Sequence, residues 1–587
     1  MKLKKGLRLL GIWVLVFSLT ACGSGEDLAQ VSKQKEQIES EETSTASPKN
    51  TEVPDKEKET VEKESSATEV SQEDTVAEKQ EDTQTAETKL KYDLTKEDIA
   101  KFDAQQEICL NMIQEARSYE EVDAEIEKIY DIALEIQDKT TIAEILYYCH
   151  MNDAKATKDY LDGTELISEL ILEYNDLLLE MYNGDNEEYQ KFFEDWSEIE
   201  LKLLTCPSEE SMDLELRNAE ILTELYSMDE TEAEEKVGEL YSEFIMNSNL
   251  IGAEYGYTNY YDYASEAVYM RDYGKEEREQ FREYVKQYIV PVYNVVALQY
   301  EQSLYDLSLG EADCLMEILF TDTEELSTDY LSDYFATLSP DMEEGMEHMF
   351  ENNNYIMTDA EDAYVGAFTA NIGEPFCFFG PESQTVFVII HELGHYYADL
   401  CMEEELMSYD LAETQSQGNE MLFLGHLKSK LSDEVYKALV YYQLYNFTNV
   451  IIQSTIFDEF EEFVYGLEDV SGYTTEDYDR IMYDIVLSYA IDDPYDIIPE
   501  GMLWLWKNVG IESPVYYLSY AVSATAAMNL YGQSVADYDA AVEAYRKLQE
   551  EVTYETGFKK ALEHAGIPSV FEAQSYRSLF DVLPNES

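Results

Sequence analysis

His391, Glu392 and His395 are the residues whose types and spacing most directly suggest chemistry. They lie in Thr385-Val-Phe-Val-Ile-Ile-His391-Glu392-Leu393-Gly394-His395-Tyr-Tyr-Ala-Asp399. On a helix, positions i and i+4 share a face, so both imidazoles can reach one metal ion. Glu392 is turned about 100° from His391, which keeps it off the metal but beside the position a water would take. This H-E-x-x-H spacing is that of zinc sites that hydrolyse peptide bonds, with the carboxylate as general base. The chain has only six histidines, so the spacing is hard to obtain by accident.

A catalytic zinc takes three protein ligands and keeps a fourth position for water. By distance along the chain Glu403, Glu404, Glu405, Glu413 and Glu420 all qualify as the third. Glu413 is preferred for its neighbourhood: on a helix, Ser416 and Glu420 fall on its side, where they can steady a ligand by hydrogen bonding. Glu403 to Glu405 read as solvated charge in a connecting loop. His150, His348, His426 and His564 stand alone and read as ordinary bonded histidines.

These residues need a body to position them. The chain has 587 residues, long enough for a large two-lobed molecule. Its net charge is −86, from 125 acidic and 39 basic side chains, a surface that repels nucleic-acid phosphates. Residues 1–22 form an export signal: Lys2, Lys4, Lys5 and Arg8 precede an apolar run from Leu9 to Leu19 that is too short for a mature membrane span. The run ends in Leu19-Thr20-Ala21-Cys22, which resembles a bacterial lipobox and makes Cys22 the expected site of lipidation. Residues 23–91 are dominated by Glu, Lys, Thr, Ser, Gln and Ala without a single aromatic residue, the composition of a disordered stalk. The six other cysteines are scattered, with no C-x-x-C pair.

From Tyr92 onward apolar residues recur at helical spacing over Asp98–Ser118, Glu120–Gln137, Gly163–Tyr182, Asn186–Thr205 and Leu214–Met228. A further helix is expected to end at Gly256, and one long amphipathic pattern runs over Glu276–Leu309 with Pro291 as an interruption. Two strand-like runs, Tyr364–Thr369 and Pro375–Gly380, precede the histidine segment and predict a small sheet beside it, whose edge is suited to an extended peptide.

Taken together, the H-E-L-G-H segment, Ala412-Glu413-x-x-Ser416-x-x-Asn419-Glu420, Gln453-Ser-Thr-Ile-Phe457-Asp-Glu-Phe460-Glu461, Asn249–Tyr260 and Pro514-Val-Tyr516-Tyr517-Leu-Ser-Tyr520-Ala521 resemble the oligoendopeptidase F and thimet oligopeptidase family of zinc metallopeptidases. The resemblance covers roughly residues 240 to 530. It implies a mostly α, two-lobed peptidase with a deep central channel and a small β-sheet beside the histidine helix. The expected divisions are 1–22 signal, 23–91 linker, 92–240 N-terminal helical lobe and 241–587 catalytic region. It further implies one Zn2+ per chain on His391, His395 and Glu413, with Glu392 as general base. Tyr520 and Tyr517 would donate to the oxyanion, and short unfolded peptides would be the substrates. The family histidine that usually precedes the tyrosines has no counterpart in Trp506–Ser513. That departure keeps a second reading open, a lipid-anchored peptide-binding protein with weak or no turnover.

Overall fold

The computed structural model describes residues 90–579 except 195, 207, 229, 321–329, 361, 402–407, 492–504 and 554–555. The export signal, Cys22, residues 23–89 of the polar stretch and Glu403 to Glu405 lie outside the described residues.

The described body is mostly helical, with one three-stranded sheet. Its first helices begin where short side chains can cap them. Thr95, Ser118 and Ser197 each accept from the backbone three residues on, and Asp98, Glu121 and Glu200 reach back to the cap. The helices Lys96–Gln114, Tyr119–Cys149 and Ala154–Asn183 enclose an apolar cluster around Phe102, Val122, Ile126, Tyr174 and Leu177. The segment Asn186–Thr205 is two short helices, Glu187–Gln190 and Glu198–Thr205, around a knot of Phe192, Phe193 and Trp196 rings in mutual contact. Further along, Leu203, Ile221, Leu225 and Val237 join a second, much larger core shared with the rest of the chain. The helix Glu230–Glu254 runs across position 240 without a break.

Gly256 takes a left-handed φ of +84° just after that helix, as a helix-ending glycine does. Pro291, by contrast, does not interrupt the pattern that follows. The helix Lys275–Tyr284 passes through a π turn at Val285–Ile289, and Pro291 sits in the first turn of the helix Val290–Asp306 beyond it. The wider turn accommodates a residue that has no N–H and crowds the preceding turn.

The sheet comprises β1 (Tyr355–Met357), β2 (Ala367–Asn371) and β3 (Pro375–Phe379) in the order β1-β3-β2. β2 runs antiparallel to β3 with Phe368 opposite Phe378, and β1 runs parallel to β3. β2 starts later than the expected run because the chain at 364–366 folds over Gly380. A Cβ there would lie 1.9 Å from the Tyr364 carbonyl oxygen, and the Gly380 N–H donates to Gly366 at 2.9 Å. Side chains alternate across the sheet. Phe368, Phe376 and Phe378 pack with Ile145 and Tyr148 of the helix Tyr119–Cys149. Ala367, Cys377 and Phe379 point into the large core with the histidine-bearing helix. The sheet is thus a layer between an N-terminal helix and the helix that carries the site.

Candidate active site

The histidine segment is the helix Val386–Cys401, and Glu413 lies on the next described helix, Tyr409–Leu427. Their crossing is close. A Cβ on Gly394 would sit 2.6 Å from the Ser416 Cα, so only glycine permits this approach. Backbone-directed bonds hold the pair: the Asn419 side-chain amide donates to the Ile390 carbonyl at 2.6 Å, and Gln549 donates to the Gly394 carbonyl at 3.2 Å.

This crossing brings the three anticipated ligands together. His391 Nε2 lies 3.5 Å and His395 Nε2 3.9 Å from Glu413 Oε2. The three potential ligand atoms fall within 4.8 Å of one another, the only such group among the described residues. A tetrahedral zinc with bonds of about 2.0–2.1 Å has edges of about 3.4 Å, so the cradle fits the ion with little adjustment. The Nε2 of His391 is buried with no hydrogen-bond partner, as a nitrogen kept for a metal would be.

The surrounding groups orient these atoms. His391 Nδ1 meets Glu420 Oε1 at 2.8 Å, which turns Nε2 toward Glu413. Ser416 Oγ donates to Glu413 Oε2 at 3.2 Å, and the Tyr516 hydroxyl donates to Glu413 Oε1. Glu392 points to the sheet side, where the Thr369 hydroxyl donates to its Oε2 at 2.8 Å. Its other oxygen, Oε1, is buried without a hydrogen-bond partner.

Burial pushes the Glu392 carboxyl up to about 7, against the opposing pull of His391 and the Thr369 bond. Burial alone would lower His391, but the bond and charge of Glu420, with Glu413 and Glu392, raise it to about 9. His395 is held well below the usual imidazole range, first by burial and then by the charge of His391. A divalent cation at these ligands favours neutral imidazoles and ionised carboxylates.

The tyrosine segment opens the helix Leu518–Ala536. Tyr520 is buried, and its ring lies 5.0 Å from that of Tyr516 and 5.6 Å from that of Tyr517. Tyr517 also packs edge-on against Phe457. Val515 holds a left-handed φ of +65°, strained for a β-branched residue by about 1–3 kcal/mol. Three buried groups enforce it: Tyr269 donates to the Pro514 carbonyl at 2.6 Å, Arg271 donates to the Val515 carbonyl at 2.7 Å, and Glu461 accepts from the Val515 N–H at 2.8 Å. The acids of Gln453–Glu461 therefore hold neighbouring backbone and side chains. Asp458 pairs with Arg282 and accepts from Tyr261.

The sequence pattern singled out Glu413, Ser416 and Glu420 together, but the three divide their work: Glu420 serves His391, whereas Ser416 serves Glu413 itself. Tyr516 and Thr369 were not anticipated. Tyr516 is one of three tyrosines in five residues, of which the resemblance gave roles only to Tyr520 and Tyr517, and Thr369 reaches Glu392 only through the packing of sheet on helix. Two of the lone histidines are bonded elsewhere, and His426 is buried with its Nε2 unbonded. His348 Nδ1 meets the Tyr396 hydroxyl at 2.7 Å, and His564 meets Glu551 at 2.7 Å. His426 lies in the core against the Tyr334 ring.

No protein-family model and no curated protein matches the sequence. Solved structures do. A structure of PZ peptidase A with an inhibitor shares 18% identity, covers 84% of this chain and 97% of its own, and superposes with a TM-score of 0.66. A structure provisionally described as an oligoendopeptidase F gives 16% identity, the same coverages and a TM-score of 0.67. A third, provisionally an oligoendopeptidase F from Bacillus anthracis, gives 15% identity over 84% and 96% of the two chains with a TM-score of 0.63. At these identities what is shared is the fold: the chain has the helical architecture of these peptidases.

Proposed function

We propose that this chain is a zinc-dependent endopeptidase that cuts internal bonds of short, unfolded peptides. The observation that carries the reading is the convergence of His391, His395 and Glu413 beside a buried Glu392 whose Oε1 has no other partner. The shared fold of the solved peptidases supports it, as does β2, an edge strand beside the histidine helix along which an extended backbone can pair.

When bound, zinc supplies Lewis acidity toward the substrate carbonyl and lowers the pKa of water. Glu392 accepts the proton of the attacking water at Oε1 and returns it to the leaving amine. Glu420, Ser416 and Tyr516 hold the ligands His391 and Glu413 in place. Tyr520, with Tyr517 beside it, donates to the oxyanion, a role worth about a hundredfold or more in rate for one donor. The central channel that the resemblance implies would admit unfolded peptides and exclude folded proteins. The export signal and Cys22 tether the enzyme by lipid outside the cytoplasm.

Digesting a mixed short-peptide library with the zinc-loaded protein, with and without a chelator, tests this. Internal cuts that disappear on chelation are expected. Glu392→Gln should keep zinc while losing about 10²- to 10⁴-fold in rate. A folded, zinc-loaded protein that cuts nothing would overturn the reading in favour of peptide binding without turnover.

A further inference from the structure

Thr369 bonds to one oxygen of Glu392 and leaves the other without a partner. It lies in β2 directly opposite Cys377 of β3, so the ladder fixes its position, and its side chain is on the face turned toward the histidine helix. Its hydroxyl is 2.8 Å from Glu392 Oε2, 3.3 Å from the Glu392 carbonyl oxygen and 3.4 Å from the Cys377 sulfur. The hydroxyl has one hydrogen, and the shortest contact places it on Oε2. The Cys377 thiol can in turn donate weakly to the hydroxyl oxygen. Oε1 is buried without a partner. A carboxylate with one oxygen tied and the other bare is left with most of its accepting capacity on the bare oxygen. β-Branching adds to this, because threonine has few χ1 choices in a strand.

We propose that Thr369 is a positioning residue for the general base: it anchors Oε2 of Glu392 so that Oε1 faces the water to be deprotonated. This rests on the reading of Glu392 as the base. The strand that can pair with substrate backbone would then also aim the base, so a peptide seated on β2 lies beside the carboxylate that β2 orients.

The test compares Thr369→Val, which keeps the branched shape without the hydroxyl, with Thr369→Ser, which keeps the hydroxyl. In the full, zinc-loaded protein Thr369→Val is expected to retain its zinc and its KM while kcat falls by roughly 10- to 100-fold. Thr369→Ser is expected to restore most of that loss, which a purely packing role would not do. Crystal structures of the zinc-loaded wild type and Thr369→Val supply a readout independent of turnover. The Glu392 carboxylate should hold one orientation in the first and spread over more than one in the second. An unchanged kcat, a serine variant no better than valine, or a Glu392 carboxylate equally fixed without the hydroxyl would each overturn the proposal. If the wild type itself cuts no peptide, the reading of Glu392 as a base fails, and the crystallographic comparison still decides whether Thr369 holds it.

Discussion

The N-terminal helices and the body around the site handle charge in opposite ways. Lys155–Asp159 and Lys158–Asp162 are i,i+4 pairs on an outer helix face, with both lysines largely in solvent. Around the site, Arg271 lies 3.7 Å from Asp410 with both side chains fully enclosed, and Arg282 grips an equally enclosed Asp458. Solvent screens the outer pairs, which keep the helices soluble and contribute little to their position. The enclosed pairs are expensive to bury and strongly destabilising to break, so they suit places where geometry matters more than stability. Here they fix the turn that carries the tyrosines and the helix that carries Glu461.

The contrast can be broken most forcefully at Arg282. Arg282→Met leaves Asp458 enclosed without its cation and should cost about 3–5 kcal/mol in urea unfolding. Adding Asp458→Asn should recover part of that loss, and a single variant with wild-type stability would show that the enclosed pair constrains nothing. A smaller effect is expected at Tyr516. Tyr516→Phe removes one bond to Glu413 while the ring stays packed, and zinc affinity, measured by chelator competition, should fall by about 10- to 100-fold. The smallest is expected at Lys158, where Lys158→Ala should move stability by no more than about 0.5 kcal/mol. A larger loss there would mean that outer charge does hold the N-terminal helices.

The reach of the sequence followed the range of each signal. His391, Glu392 and His395 were legible because helical periodicity is local, and the same periodicity placed Ser416 and Glu420 near Glu413. It could not say that Glu420 reaches across to His391, since that depends on how two helices cross. The N-terminal helices were legible to within a few residues at several ends. The helix Tyr119–Cys149 runs twelve residues past the expected Gln137, because Thr140 to Cys149 is buried on several sides and shows no clean stripe. β1 has three residues, too few for a pattern. Thr369 and Tyr516 depend on contacts between segments far apart in the chain, and neither period carries that information.

Gly394 has a mechanical consequence. The two helices that carry His391, His395 and Glu413 meet there at backbone distance, with no side chain between them at the crossing. Residues 386–401 and 409–427 therefore behave as one stiff block. Any rearrangement of the described body must pivot outside this pair. His391, His395 and Glu413 all ride on that block, so a movement elsewhere in the body leaves their spacing unchanged.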